Sequence, residues 1–538
     1  MNTRILNGLL LAALLAGPVP AAEPRRPLDL GERMYRDGLL PSGQPLQAVM
    51  KAGTRVPGTA FACAGCHGRS GIPPMQEDGV RVRAINGRTL FQPLYLHFTG
   101  LTQEEREALV PARFKTAPLR PAYTERSLMD ALVKGVDPSG RELGPAMPRY
   151  RASDADLAPL VQYLGRLSSA FAPGVTDKSV TFATVVTEEV PAADRAAMTG
   201  AIERSLRSHS NLRPNPRQKM GQMLNMQLMG IGFREWRLAT WVLKGEPATW
   251  QAQLEAFYAQ EPVFALLGGI STRTWEPVHR FCEDLRLPCV LPITDQPGLE
   301  GSYTFYYTRG YHQEGASAAR FLAQAPPARV VQILGPGSEA ALLAKGFEEA
   351  WAGRTPVQSI PWNPSRPVKA DKDTALLMWT GPDAYRALEA MARTSPPQVF
   401  MSSTLLAERL WDLPEAARGF TRVVYPYRQP GPKTLPPRMG ARVGAVVDKP
   451  FQANDRRIAS RMEDAMKVLS EALARMERNY YRDYLLDTLD AAPAADATDY
   501  DLLNFSPGLR HLSEGCHVVR LQPGPARGFD PNETWGLY

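Results

Sequence analysis

Cysteine is scarce, with five residues in a chain of 538, which excludes a disulfide-stapled scaffold. No segment reaches 18 consecutive apolar residues, so no membrane-spanning helix is predicted. No run of five basic residues occurs, which excludes a nucleic-acid-binding tail. Gly-x-Ser-x-Gly, His-Glu-x-x-His and a Walker loop are all missing, so no hydrolase, zinc-protease or nucleotide signature is present. What remains is the composition of a folded globular chain, 44% hydrophobic and 22% charged, long enough for three or four units of about 150 residues. The net charge of +7 is spread along the chain. A mildly basic surface of this kind favours docking to an acidic protein partner.

Residues 1–22 read as a secretory signal peptide. Arg4 gives the positive start, Ile5 to Ala16 the short apolar stretch, and Pro18 and Pro20 its end. Ala21 and Ala22 before Glu23 offer small residues for cleavage. Export of this kind, together with the next motif, places the mature chain in a bacterial periplasm, with no membrane span after cleavage.

Cys63-Ala64-Gly65-Cys66-His67 is a Cys-x-x-Cys-His sequence, the attachment signal for c-type haem. Two thiols at this spacing form thioethers with the two vinyl groups, and the next residue offers an imidazole to the iron. A thioredoxin-like pair would need a surrounding βαβ pattern, and a zinc site a second Cys/His pair at zinc spacing; neither is present. One such motif means one haem c, and Cys516-His517 lacks the first cysteine of a second. For the sixth iron position, Met147 is the best source, flanked by Pro145 and Pro148 in a stiffened loop. A thioether ligand raises the potential, which suits electron transfer. Met75, Met129 and His97 are the rivals; Met129 falls within a helical pattern.

Residues 28–170 resemble a class I cytochrome c. Gly31 and Tyr35 in Gly-Glu-Arg-Met-Tyr match the small and aromatic positions of the family's first helix. Leu160, Tyr163, Leu164 and Leu167 form one face of the terminal helix that crosses it. Ser153 with Asp156 resembles a capping box ahead of that helix; with Asp156 as the cap, Pro159 would fall in the first turn. The segment from Leu39 to Phe61 is longer than in the shortest family members. The resemblance implies an all-α domain with Cys63, Cys66, His67 and Met147 as the haem residues, His67 and Met147 binding the metal.

After Phe171–Val175, apolar strands alternate with helical patterns. Strands are expected at 180–186, 236–242, 263–267, 289–292, 330–334, 375–379, 399–402 and 423–425, with helices at 250–258, 278–285, 314–322, 340–351 and 385–392. The pattern describes an α/β fold with parallel sheets in two lobes. Phe264–Thr272, Leu287–Thr294, Phe305–Arg309 and Phe505–Gly508 resemble a type I periplasmic binding protein, the group that includes branched-chain amino-acid receptors. The resemblance implies a cleft that closes on a small solute, with Ser271, Thr272 and Thr294 as ligand contacts. Asp383 is the one candidate for a solute ammonium group.

Four further signals stand apart. Leu334–Ala340 reads as a strand-to-helix turn rather than a dinucleotide site. Met220, Met223, Met226 and Met229 recur every three residues, a spacing that drifts around a helix and favours packing over copper binding. Cys282 and Cys289 are close enough in sequence for a disulfide, which would leave Cys516 a buried free thiol. Segment 211–234 has no counterpart in the second family.

The expected organisation is a signal peptide (1–22), an all-α cytochrome c domain (23–170), a linker (171–178) and a two-lobed α/β binding-protein-like domain (179–538). The expected function is a non-enzymatic, periplasmic monohaem electron carrier fused to a solute-binding module. Its partners would be periplasmic redox proteins, a dehydrogenase or terminal oxidase, and a small-molecule solute. Two alternatives stand beside it: the cytochrome subunit of a periplasmic, quinoprotein-type alcohol dehydrogenase system, and a transport receptor with a regulatory haem.

Overall fold

The structure is a computed structural model that describes residues 29–50, 53–73, 82–95, 107, 110, 116–211, 234–368, 370–393, 397–430 and 454–538. The signal peptide, Met75, His97 and the methionine series from Met220 to Met229 lie outside the described residues.

The N-terminal unit is built on two crossing helices. α1 (Leu30–Asp37) starts at Asp29, whose side chain accepts from the Glu32 amide, and stops at Gly38, which takes the left-handed conformation at φ 67°. Two short helices follow, α2 (Cys63–His67) and α3 (Gly87–Leu90), then α4 (Glu125–Val133). α5 (Asp154–Arg166) begins at Ser153 with the predicted Ser153–Asp156 capping box. Pro159 therefore falls inside the helix rather than in its first turn. Leu160, Tyr163, Leu164 and Leu167 are all buried in the core of this unit, as their spacing predicts. Gly31 is required where α1 meets α5: a Cβ there would lie 2.1 Å from the Pro159 carbonyl oxygen.

The unit is not all-α. Three short strands, β1 (Gln47–Val49), β2 (Arg55–Pro57) and β3 (Arg149–Arg151), form an antiparallel sheet in the order β2-β1-β3. Ala48 pairs with both Val56 and Tyr150. Two of these strands come from the long lead-in between Leu39 and Phe61. At three residues each they carry too little alternation to be read as strands.

Residues 171–178 are packed rather than free. Phe171 stacks on Tyr481 at 6.4 Å, and the Thr181 amide donates to the Gly174 carbonyl at 2.8 Å.

The remainder forms two α/β lobes. The first holds β4 (Ser179–Thr187), α6 (Ala192–Asn211), β5 (Glu235–Leu243), α7 (Trp250–Gln260), β6 (Leu266–Leu267), α8 (Glu276–Asp284), β7 (Cys289–Val290) and β8 (Thr304–Phe305). Its sheet is parallel throughout, in the order β5-β4-β6-β7-β8. The second holds α9 (Tyr311–Leu322), β9 (Arg329–Leu334), α10 (Ser338–Trp351), β10 (Val357–Pro361), β11 (Thr374–Trp379), α11 (Tyr385–Met391), β12 (Gln398–Ser402) and β13 (Thr421–Tyr425). The chain then returns to the first lobe as α12 (Asn454–Met476) and α13 (Arg482–Asp490), and re-enters the second as β14 (His517–Val519). The second sheet runs β10-β9-β11-β12-β13-β14, with only β14 antiparallel.

Every predicted strand after residue 179 is present, though 263–267 and 289–292 shorten to two paired residues. Buried, nearly continuous apolar runs such as Thr374–Trp379 are what parallel strands covered on both faces require. Leu334–Ala340 is a strand-to-helix turn, as read. Cys282 and Cys289 do not form the allowed disulfide; both are buried free thiols, as is Cys516. Among the described residues no helix is long and apolar enough to cross a membrane.

Candidate functional site

Cys63, Cys66, His67 and Met147 line one cavity of about 520 Å³. α2 presents the first three. It is five residues long and ends at Gly68, whose φ of 72° turns the chain sharply away. The His67 Nδ1 lies 2.9 Å from the Arg83 carbonyl oxygen. This contact fixes the ring and leaves Nε2 as the nitrogen available to a metal. Burial also lowers the His67 pKa, favouring the neutral, ligating form.

Met147 reaches the same cavity on the loop held by the small sheet. The Arg149 guanidinium donates to the Met147 and Leu143 carbonyls, and the Tyr150 hydroxyl donates to the Phe61 carbonyl at 3.0 Å. The three strands missed in the sequence therefore position the predicted sixth ligand against the segment entering α2. Met129 is half-buried against the core from α4 and does not line the cavity.

The rest of the wall suits a flat apolar group with an acidic edge. Leu90, Leu94, Leu128, Leu132 and Leu164 supply the apolar surface. Arg120 is buried in the wall, its guanidinium donating to the Thr89, Leu90, Gln92 and Pro121 carbonyls. Burial pushes the Cys63 thiol up to about 11, the opposite of the depressed value of a reactive redox pair. Cys66 is exposed at the mouth. Among the described residues no group of three His, Cys, Asp or Glu side chains is arranged to hold a bare metal ion. These residues thus fit a tethered prosthetic group better than a zinc ion or a dithiol.

The second candidate site lies where the lobes meet. Ser271 and Thr294 are buried and Thr272 is exposed. Their hydroxyls are used within the first lobe. Ser271 Oγ accepts from the Arg273 amide at 3.0 Å, and Thr294 Oγ1 from the Gln296 amide at 3.1 Å. Thr187, Ser271 and Thr272 also converge on one carboxylate oxygen of Glu189, at 2.5, 3.5 and 3.4 Å. The hydroxyls expected to meet a solute thus hold a carboxylate that belongs to the chain. Asp383 is exposed in a short 3₁₀ turn. A cavity of about 500 Å³ opens nearby, between Arg273, Thr274 and Gln296 of the first lobe and Ser338, Glu339 and Lys345 of the second. Gln296 spans it, hydrogen-bonding Ser338 at 3.0 Å and Glu339 at 3.4 Å.

Sequence reasoning missed Arg120, Glu189 and the acidic residues of α13. The last left a readable trace: Asp483, Asp487 and Asp490 recur at helical spacing along one face of α13.

No family model matches the chain, and no curated protein matches it. Solved structures do. A type 1 periplasmic binding protein from Bordetella pertussis Tohama I aligns at 14% identity over 66% of this chain and 100% of its own, with a TM-score of 0.44. A substrate-binding periplasmic protein from Ralstonia solanacearum aligns at 16% identity over 65% and 99%, with a TM-score of 0.42. A fatty acid ABC transporter substrate-binding protein from Thermomonospora curvata aligns at 14% over 67% and 92%, with a TM-score of 0.39. The two-lobed architecture of this chain rests on its own strand orders and crossovers.

Proposed function

We propose that the chain is an exported, non-enzymatic protein in which one covalently attached haem c is carried by a two-lobed solute-binding module. The observation that carries the reading is the convergence of Cys63, Cys66, His67 and Met147 on one leucine-lined cavity. Cys63 and Cys66 would tether the group, while His67 Nε2 and the Met147 thioether would hold its metal. The leucines give the cavity an apolar wall, and Arg120 adds one buried positive charge to it. When bound, the group supplies a one-electron ferric–ferrous couple.

In the first use of this arrangement the protein passes single electrons between periplasmic redox proteins, a dehydrogenase on one side and a terminal acceptor on the other. Service as the cytochrome subunit of an alcohol dehydrogenase system is one form of it. In the second use the lobes bind a solute and the haem is regulatory. The cavity bridged by Gln296 favours the second, because both lobes contribute polar groups to it.

Visible spectroscopy of the full chain, produced in cells competent for c-type maturation, tests the reading. The expected result is a c-type spectrum whose pigment stays with the protein in acidified organic solvent. Met147→Ala should keep the pigment, lose the methionine-ligated low-spin signature and lower the potential. Colourless protein, or pigment released by acid, refutes the haem. Thermal-shift screening against alcohols, amines, amino acids and fatty acids separates the two uses: a specific hit supports the receptor, and none across neutral, cationic and anionic compounds supports the carrier.

A further inference from the structure

The N-terminal unit meets the first lobe through buried charge. Glu32 of α1 forms a two-pronged bridge to Arg286 at 2.7 and 2.9 Å and a further bridge to Arg36 at 2.9 Å. Arg36 reaches Asp483 of α13 at 2.8 Å, and the Tyr303 hydroxyl donates to the same carboxylate at 2.8 Å. The Glu32 side chain is only 4% exposed. Arg36 and Asp483 are half-buried and Arg286 is 38% exposed, so one buried carboxylate anchors partners that reach the surface.

One turn further along α13, Asp487 is 6% exposed and points into the chain just past the haem motif. Its Oδ1 accepts from the Arg69 amide at 2.8 Å; its Oδ2 accepts from the Ser70 amide at 2.9 Å and from Ser70 Oγ at 2.7 Å. The turn wraps the carboxylate so closely that a Cβ on Gly68 would lie 2.7 Å from Oδ2. From the other side, the Tyr35 hydroxyl donates to the Gly68 carbonyl at 2.7 Å, and Ser168 Oγ to the Ser70 carbonyl at 2.8 Å. The residues immediately after His67 are therefore gripped by a side chain from a helix more than four hundred residues away.

We propose that Asp487 is a positioning residue for His67, through which the α/β module, and not the cytochrome-like unit alone, sets the potential of the haem. The proposal rests on the haem reading above. The physical cause is twofold. The three hydrogen bonds fix the turn that carries the ligand. The buried negative charge, in a medium that screens poorly, favours the ferric state over the ferrous. Asp490, on the same helix, is bridged to Arg510 of the segment that returns to the second lobe, at 2.7 Å with both side chains under a tenth exposed. The helix gripping the haem turn is thus anchored beside the crossover between the lobes.

The test is a potentiometric titration of the full-length, haem-loaded chain at pH 8, read by visible absorbance. Asp487→Asn removes the charge at constant shape and should raise the midpoint potential while the six-coordinate spectrum persists. Ser70→Ala removes one donor, leaves the carboxylate less neutralised and should lower the midpoint. A purely structural role would move both variants the same way. Asp483→Asn disturbs the interface without touching the 68–70 turn and should shift the midpoint less than Asp487→Asn. An unchanged midpoint in Asp487→Asn overturns the proposal while the haem reading stands. An equal shift in Asp483→Asn overturns the assignment to Asp487. Should Asp487→Asn fail to accumulate, Ser70→Ala decides alone, and an unchanged midpoint is then the refuting result. Wild-type protein without covalent pigment is the separate failure of the haem reading.

Discussion

Gly31→Ala adds a single methyl group at the crossing of α1 and α5, the contact that closes the N-terminal core. The new carbon would lie 2.1 Å from the Pro159 carbonyl oxygen, 2.8 Å from its carbon and 2.6 Å from the Tyr163 Cβ. None of the three can rotate away, since two are helix backbone and the third is bound to it. Restoring the ordinary contact distance of 3.4 Å needs the helices to part by roughly 1 Å, a strain at the upper end of the overpacking range, about 3 kcal/mol. Alanine returns about 1 kcal/mol through its higher helix propensity. The net loss of about 2 kcal/mol corresponds to roughly 30-fold faster opening-limited exchange, at 1.36 kcal/mol per factor of ten. Tyr35 should report it too, because its ring packs 5.5 Å from Tyr163 and its hydroxyl holds the Gly68 carbonyl. Hydrogen-exchange mass spectrometry of peptides covering 30–37 and 154–166 is the assay, with 338–351 in the second lobe as the internal reference. Unchanged or slower exchange in the first two peptides would refute the crossing as described.

Two further predictions concern the lobes. Burial beside Ser402 and Thr404 raises the Glu314 carboxyl to about 8. The folded state keeps a proton that the unfolded state releases above its ordinary value of 4.5. The stability this supplies is therefore complete below pH 4.5 and lost as pH rises through 8, by at most about 5 kcal/mol. Glu314→Gln should flatten the pH dependence of the urea midpoint, followed by tryptophan fluorescence, between pH 5 and 8; parallel slopes for variant and wild type would contradict the burial. The Asp490–Arg510 pair has side chains 8% and 5% exposed, so Asp490→Asn should cost about 3 kcal/mol by stranding a buried guanidinium. Replacing both residues with leucine and methionine should cost less than the single change, and a double-variant loss as large as the summed single losses would show that the two residues are not coupled.

The sequence was most informative where one local rule decides the structure. Cys63, Cys66 and His67 are adjacent, so their chemistry is visible without any fold, and the Ser153–Asp156 box is formed within a single turn. The lobe strands were equally legible, because burial on both faces leaves nearly continuous apolar runs such as Ala375–Trp379. The β1–β3 sheet was invisible for the converse reason: three residues per strand carry no periodicity, and the pairing of Ala48 with Tyr150 joins positions a hundred residues apart. Pro159 left a second cap, Asp156, open in the sequence; the helix starts at Ser153 and carries the proline in its interior. What Pro159 does for the fold lies outside α5: its carbonyl is where Gly31 of α1 packs.

The interlobe residues show why a hydroxyl pattern cannot by itself name a solute. Ser271 and Thr272 follow β6, and they hydrogen-bond a carboxylate. The carboxylate comes from Glu189, two residues past the end of β4, and Thr187 on that strand holds it from behind. A free carboxylate arriving at the same hydroxyls would meet an existing negative charge, with repulsion added to the loss of internal hydrogen bonds. The same donors that would recognise an amino-acid carboxylate therefore become, with one acidic residue added in three dimensions, a barrier against it. A neutral or cationic group meets no such barrier. The charge beside these hydroxyls is thus set by a residue that the motif did not include, brought there by parallel pairing of β4 with β6.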